Sequence, residues 1–152
     1  MLRARDVMRK DVITVSADMT VEELGRIFIE KDISGAPVVD GTGNLVGIVT
    51  ENDLISRNTR LHIPTVLRLF DAFIPMGTSR LESEIKKMAA TTVGEICTKK
   101  PTTVEADASV DDIATIMEDR KIHLLPVLEE GRLIGIVGKR DIIRGVAGEA
   151  AK

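Results

Sequence analysis

The chain has 152 residues, 43% of them hydrophobic and 30% charged, with a net charge of -3. That is enough for one compact domain or two small units sharing a core, and it carries no positive excess to attract DNA or an anionic membrane. The only aromatics are Phe28, Phe70 and Phe73, which argues against single-stranded nucleic acid, usually held on stacked aromatic side chains. A lone Cys97 forbids an intrachain disulfide, and no apolar run is long enough to span a bilayer, so a reducing, cytoplasmic setting is expected.

Taken in chain order, Val12–Val15 is a short extended segment. Thr20 is a candidate helix N-cap, with Glu22 and Glu23 in the first turn where the helix dipole favours acids. Val21, Leu24, Ile27 and Phe28 have helical spacing, and the helix is expected to end near Asp32. Two apolar runs follow, Ala36–Val39 and Leu45–Val49, joined by the turn sequence DGTGN. A second helix is expected from about Glu51. Between Arg57 and Thr92, IPTVLRLFDAFIP is nearly apolar all round, and MGTSRLESEIKKM contains a capping box at Ser79–Glu82 before an amphipathic stripe. This stretch is longer than a simple linker needs, so it reads either as a lid or as a partner or dimer surface. The order then recurs, with Ser109 as cap, Val110, Ile113, Ile116 and Met117 as stripe, and EEGR as turn.

The recurrence is an internal repeat. A shift of 89 residues aligns Val12–Asp40 with Pro101–Glu129, and after a one-residue gap GNLVGIVTENDLI meets GRLIGIVGKRDII. Each copy reads as β-α-β-β-α. Alone, its small sheet would leave one face uncovered and be marginally stable. Two copies packed sheet to sheet cover both faces, as a pseudo-twofold α/β (α+β) pair with clefts between the copies. The expected division is 1–57 for the first repeat, 58–92 for a helical connection and 93–152 for the second repeat.

These motifs resemble the tandem cystathionine-β-synthase (CBS) domain pair, a regulatory module. The resemblance rests on DVM (Asp6–Met8), ISGAPVVD and GIVTENDLI, and in the second copy on IHLLPVLE and GIVGKRDII. It implies sites for adenine nucleotides or other adenosine-containing ligands, such as AMP, ADP, ATP or an S-adenosylmethionine-like molecule, with no cofactor required. The Asp after the last strand, Asp53 or Asp141, would hold the ribose hydroxyls. Thr50 would approach the phosphates, with Asn52 beside it. The adenine would lie against Ile13, Thr14, Ser34, Gly35, Ala36 and Pro37 in the first copy. In the second copy it would lie against Thr102, Thr103, His123, Leu124, Leu125 and Pro126. The same resemblance implies a homodimer.

The residues support that chemistry and also a plainer one. A carboxylate accepting from two vicinal hydroxyls makes charge-assisted bonds, and a hydroxyl beside a helix start suits a phosphate. Thr50-x-x-Asp53 is equally a capping box that ties down the helix. In the second copy Gly138 replaces Thr50, while Lys139 and Arg140 enter the first helical turn against the dipole preference. They are either solvated charges or compensation for a bound anion, and a ligand with fewer phosphates is expected there. Pro37 and Pro126 are compatible with edge-strand positions. His62 and His123 have no nearby Cys, so no metal site is expected. Cys97 aligns with Met8 and reads as core. No acid, base and nucleophile converge. The expected function is therefore a non-catalytic sensor acting on an unidentified regulated protein, with a constitutive dimeric scaffold as the alternative.

Overall fold

The structure, a computed structural model, describes residues 1–61 and 91–148, with the side chains of residues 57–61 left aside. The sequence expectations for Phe70, Phe73, Ser79 and their neighbours lie outside the described residues.

The first repeat contains β1 (Val15–Ser16), α2 (Val21–Lys31), β2 (Gly35–Val39), β3 (Leu45–Thr50) and α3 (Glu51–Leu61). The second contains β5 (Val104–Glu105), α5 (Val110–Arg120), β6 (Leu124–Glu129), β7 (Arg132–Gly138) and α6 (Lys139–Val146). Before each repeat lies a one-turn helix, α1 (Ala4–Val7) or α4 (Val93–Ile96), and β4 (Thr98–Lys99) follows the latter. The predicted caps form: the Thr20 hydroxyl accepts from the Glu23 amide at 3.2 Å and the Ser109 hydroxyl from the Asp112 amide at 3.1 Å. Helices α2 and α5 each end on a left-handed residue, Asp32 or Lys121.

In each repeat a short parallel strand flanks an antiparallel hairpin, giving β1-β2-β3-β4 and β5-β6-β7. The two hairpins turn differently. Asp40 Oδ1 gathers the amides of Thr42 and Asn44 at 2.9 and 3.0 Å and the Thr42 hydroxyl at 2.7 Å. Glu130 and Gly131 instead form a two-residue turn with positive φ at both positions (51° and 78°), the geometry that matches strand twist.

Side-chain alternation divides the molecule into two cores. Ala36, Val38 and Val49 point into one with Val15, Leu24 and Phe28, while Leu125, Val127 and Val137 point into the other with Val110, Ile113 and Met117. Pro37 and Pro126 fall on the opposite faces of their sheets, yet both are fully buried. Those faces meet each other, which is the expected sheet-to-sheet packing. Each proline also precedes the point where the short parallel strand begins to pair, at Val38 or Val127. Its missing N–H therefore interrupts no ladder to that strand.

The short helices are exchanged between repeats. Ala4, Val7 and Met8 pack in the core of the second repeat, and Val93, with Ile96 and Cys97, in that of the first. The backbone bonds are equivalent pair by pair. Ala4 N donates to Ala108 O at 2.8 Å as Val93 N does to Met19 O at 2.8 Å, and Val110 N donates to Leu2 O as Val21 N does to Thr91 O, both at 3.0 Å. Arg5 reinforces one side by reaching Asp107 and Glu129, each at 2.8 Å. The exchange continues into the sheets, where β4 pairs with β3 and Arg9 bridges to Ile136 of β7. Glycine makes both approaches possible. A Cβ on Gly47 would lie 2.8 Å from the Thr98 carbonyl oxygen, and one on Gly135 would lie 3.0 Å from that of Arg9.

Candidate functional site

A cleft of about 270 Å³ opens between the repeats. One wall is Arg9, Asp11, Val12 and Ile13 before β1, with Ile33, Ser34 and Gly35 at the start of β2. The other wall is His123 and Leu124 at the start of β6, with Ile136, Gly138, Lys139 and Arg140 at the junction of β7 and α6. The cleft therefore crosses the repeats. The sequence reading pooled Ile13, Ser34 and Gly35 with Thr50 and Asp53 of the same copy; the structure sets them opposite Gly138, Lys139 and Arg140. The cause is the exchanged segment. Reciprocal bonds between Arg9 and Ile136, at 2.9 and 3.1 Å, dock the lead-in to β1 on β7. Gly35 closes the approach from the other side, since a Cβ there would lie 2.6 Å from Leu124 Cδ2.

Eight expected residues thus meet in this cleft: Ile13, Ser34, Gly35, His123, Leu124, Gly138, Lys139 and Arg140. Others stand elsewhere. Ala36 and Leu125 are fully buried in the two cores, and Pro37 and Pro126 are buried between the sheets, so these four can offer a ligand only their backbone. Thr14 is exposed and is not part of the cleft wall. Thr102 accepts a bond from Arg120 Nη1 at 3.1 Å, and Thr103 beside it is half-buried. Thr50, Asn52 and Asp53 occupy the β3–α3 junction, the repeat equivalent of Gly138, Arg140 and Asp141. Arg9, Asp11, Val12, Ile33 and Ile136 were missed from sequence. The pre-strand position of Ile13 pointed toward Asp11 and Val12, but only long-range pairing brings Arg9 and Ile136 into one cleft.

The two junction carboxylates differ. Asp53 is half-buried, and its Oδ2 accepts from the Thr50 amide at 2.8 Å and the Thr50 hydroxyl at 3.3 Å. Its Oδ1 has no hydrogen-bond partner among the described residues. Asp141 is only 2% exposed at its side chain. Its Oδ2 accepts from the Gly138 amide at 2.7 Å, and its Oδ1 from Arg144 Nη1 at 3.1 Å and Arg9 Nε at 3.3 Å. Both oxygens of Asp141 are thus engaged by the protein, and the carboxylate lies behind the cleft wall. Lys139 and Arg140 are exposed on that wall with no ion-pair partner among the described residues. The Lys139 amide is tied to the His123 carbonyl at 3.0 Å, which fixes this side.

Cys97 packs against the first core, and burial pushes its thiol pKa up, with the Asp53 charge acting in the same direction. A protonated, half-buried thiol is a poor nucleophile. Among the described residues no group of three His, Cys, Asp or Glu side chains could hold a metal ion, and no helix is long and apolar enough to cross a membrane.

The family model for the CBS domain matches twice, at residues 4–59 and 93–148. An uncharacterized protein of Methanocaldococcus jannaschii is 32% identical, with 93% of this chain and 89% of the relative aligned. The chloroplastic CBS domain-containing protein CBSX2 of Arabidopsis thaliana is 28% identical, and the alignment spans 90% of this chain but 59% of that protein. Among solved structures, CBSX2 in complex with AMP superposes with a TM-score of 0.73 at 25% identity, covering 97% of this chain and 98% of the other. The CBS domain pair of protein MJ0100, in complex with 5′-methylthioadenosine and S-adenosyl-L-methionine, gives 0.72 at 26% identity over the same shares of the two chains.

Proposed function

This chain belongs to the CBS-domain family, and from that premise we propose that it is a non-catalytic regulatory module. It binds adenosine-containing ligands in the clefts between its repeats and passes their occupancy to a partner protein, acting as a homodimer. The observation that carries this reading is the cross-repeat cleft itself. Glycine and serine line one wall where a flat base needs room, and cations stand on the other. Structures of the same fold, matched along nearly their whole length, hold AMP or S-adenosylmethionine.

The β3–α3 junction supplies the second set of contacts. Asp53 Oδ1, without a hydrogen-bond partner among the described residues, would accept from ribose hydroxyls, and the Thr50 hydroxyl stands beside the start of α3. Both groups also cap the helix, so a ligand at this junction would take over part of the cap. The backbone of Ser34–Pro37 and of His123–Pro126 would read the base edge.

Thermal unfolding with AMP, ADP, ATP and S-adenosylmethionine, on protein stripped of co-purified ligand, tests the reading. A ligand at 100 times its dissociation constant adds about 2.7 kcal/mol of stability. Asp53→Ala is expected to remove the shift that arises at the β3–α3 junction. The engagement of both Asp141 oxygens favours a second reading, a dimeric scaffold whose clefts bind nothing. A flat response to every ligand would select it.

A further inference from the structure

Resting on the adenosine reading, we propose that Arg9 determines the charge preference of the cross-repeat cleft. Anchored by Asp141, it presents its guanidinium to an anionic group on the ligand, so this cleft favours phosphate-bearing adenosine ligands over uncharged or cationic ones.

The two ends of the Arg9 side chain have different tasks. Nε is held by Asp141 Oδ1 at 3.3 Å, while neither Nη group has a partner among the described residues. Arg9 lines the cleft and is 44% exposed. Its backbone is clamped to Ile136 in both directions, so the guanidinium is offered from a fixed point. A guanidinium fork suits phosphate oxygens, and orientation in advance reduces the entropy lost on binding. Asp141 is then a positioning residue. It is itself secured by the Gly138 amide and Arg144, which explains why its carboxylate is buried rather than exposed to the cleft.

The repeat provides an internal control. Arg9, Lys139 and Arg140 give this cleft three cations against the single acid Asp11. Their equivalents in the other copy are Thr98, Glu51 and Asn52, with Lys100 in place of Asp11. The excess of positive charge therefore belongs to one cleft and not to the repeat, and Arg9 is the member of that set with an anchored side chain.

Calorimetric titration of the full chain in an Asp53→Ala background, with AMP, adenosine and S-adenosylmethionine, tests this. The parent is expected to prefer AMP over adenosine by about tenfold or more, the scale of a charge-assisted contact. Arg9→Gln is expected to bring that ratio close to one. Arg9→Lys keeps the charge but loses the fork and falls between the two. Added salt should weaken AMP in the parent and have less effect in Arg9→Gln. Thermal unfolding checks that each variant folds, and if Arg9→Gln does not, Arg9→Lys carries the comparison. A parent that binds AMP and adenosine equally, or an Arg9→Gln variant with the parental ratio, overturns the inference while leaving the adenosine reading intact. Failure of all three ligands to bind, with or without the Asp53 change, overturns both.

Discussion

The β3–α3 and β7–α6 junctions carry the same carboxylate at the same step of the repeat and use it differently. Asp53 caps its helix with one oxygen and leaves the other without a hydrogen bond among the described residues. Asp141 caps its helix and is also the anchor of two arginines, one from its own helix and one from the exchanged N-terminal segment. Duplication preserved the backbone device. What diverged is the company each carboxylate keeps, so a motif shared by two repeats does not make two equal sites.

The largest expected effect separates these carboxylates by stability. Asp141→Ala should cost about 3 kcal/mol, since it removes a buried acceptor of three charge-assisted or backbone bonds. The arginines left behind are about half-exposed and can turn to water, which limits the loss. Asp53→Ala removes only the cap and should cost about 1 kcal/mol. Equal losses in urea denaturation would show that the arginines add nothing.

A smaller effect compares the two glycines beneath the exchanged segments. Gly47→Ala should cost about 2 kcal/mol, because its new methyl meets the Thr98 carbonyl, which β4 pairing holds in place. Gly135→Ala should cost less, because its first obstacle is the Met8 thioether, a flexible side chain. The reverse order would mean that β4 yields more easily than Met8.

The smallest effect concerns the hairpin turns and shows only as a pH dependence. The Thr42 hydroxyl and then the Asn44 and Thr42 amides hold the Asp40 pKa below the ordinary carboxylate range. A folded pKa below the unfolded one contributes stability that is present above the unfolded pKa and is lost as pH falls through the folded pKa. Asp40→Asn should therefore reduce acid sensitivity slightly, as read from unfolding midpoints between neutral and acid pH. The Glu130–Gly131 turn relies on backbone geometry instead.

Much of the fold could be read locally. Thr20 and Ser109 precede apolar stripes at helical spacing, and both cap as expected. DGTGN and EEGR marked the hairpins because only some residues tolerate their backbone angles. The cleft was harder to read because it depends on what meets across the chain. Ala4–Val7 is a single turn, too short for any periodicity to show that it belongs to the far repeat. The runs Ser34–Pro37 and His123–Pro126 were read as pocket walls throughout. Alternation along a strand sends Ala36 and Leu125 into the cores and leaves their neighbours to the space between the sheets.

The exchange of one-turn helices also governs how the molecule comes apart. Neither repeat owns all of the residues that fill its interior, since Val7 and Met8 complete one and Val93 completes the other. Peeling the repeats apart would open a hole in both at once, so a single cooperative unfolding transition is expected in calorimetry in place of two steps.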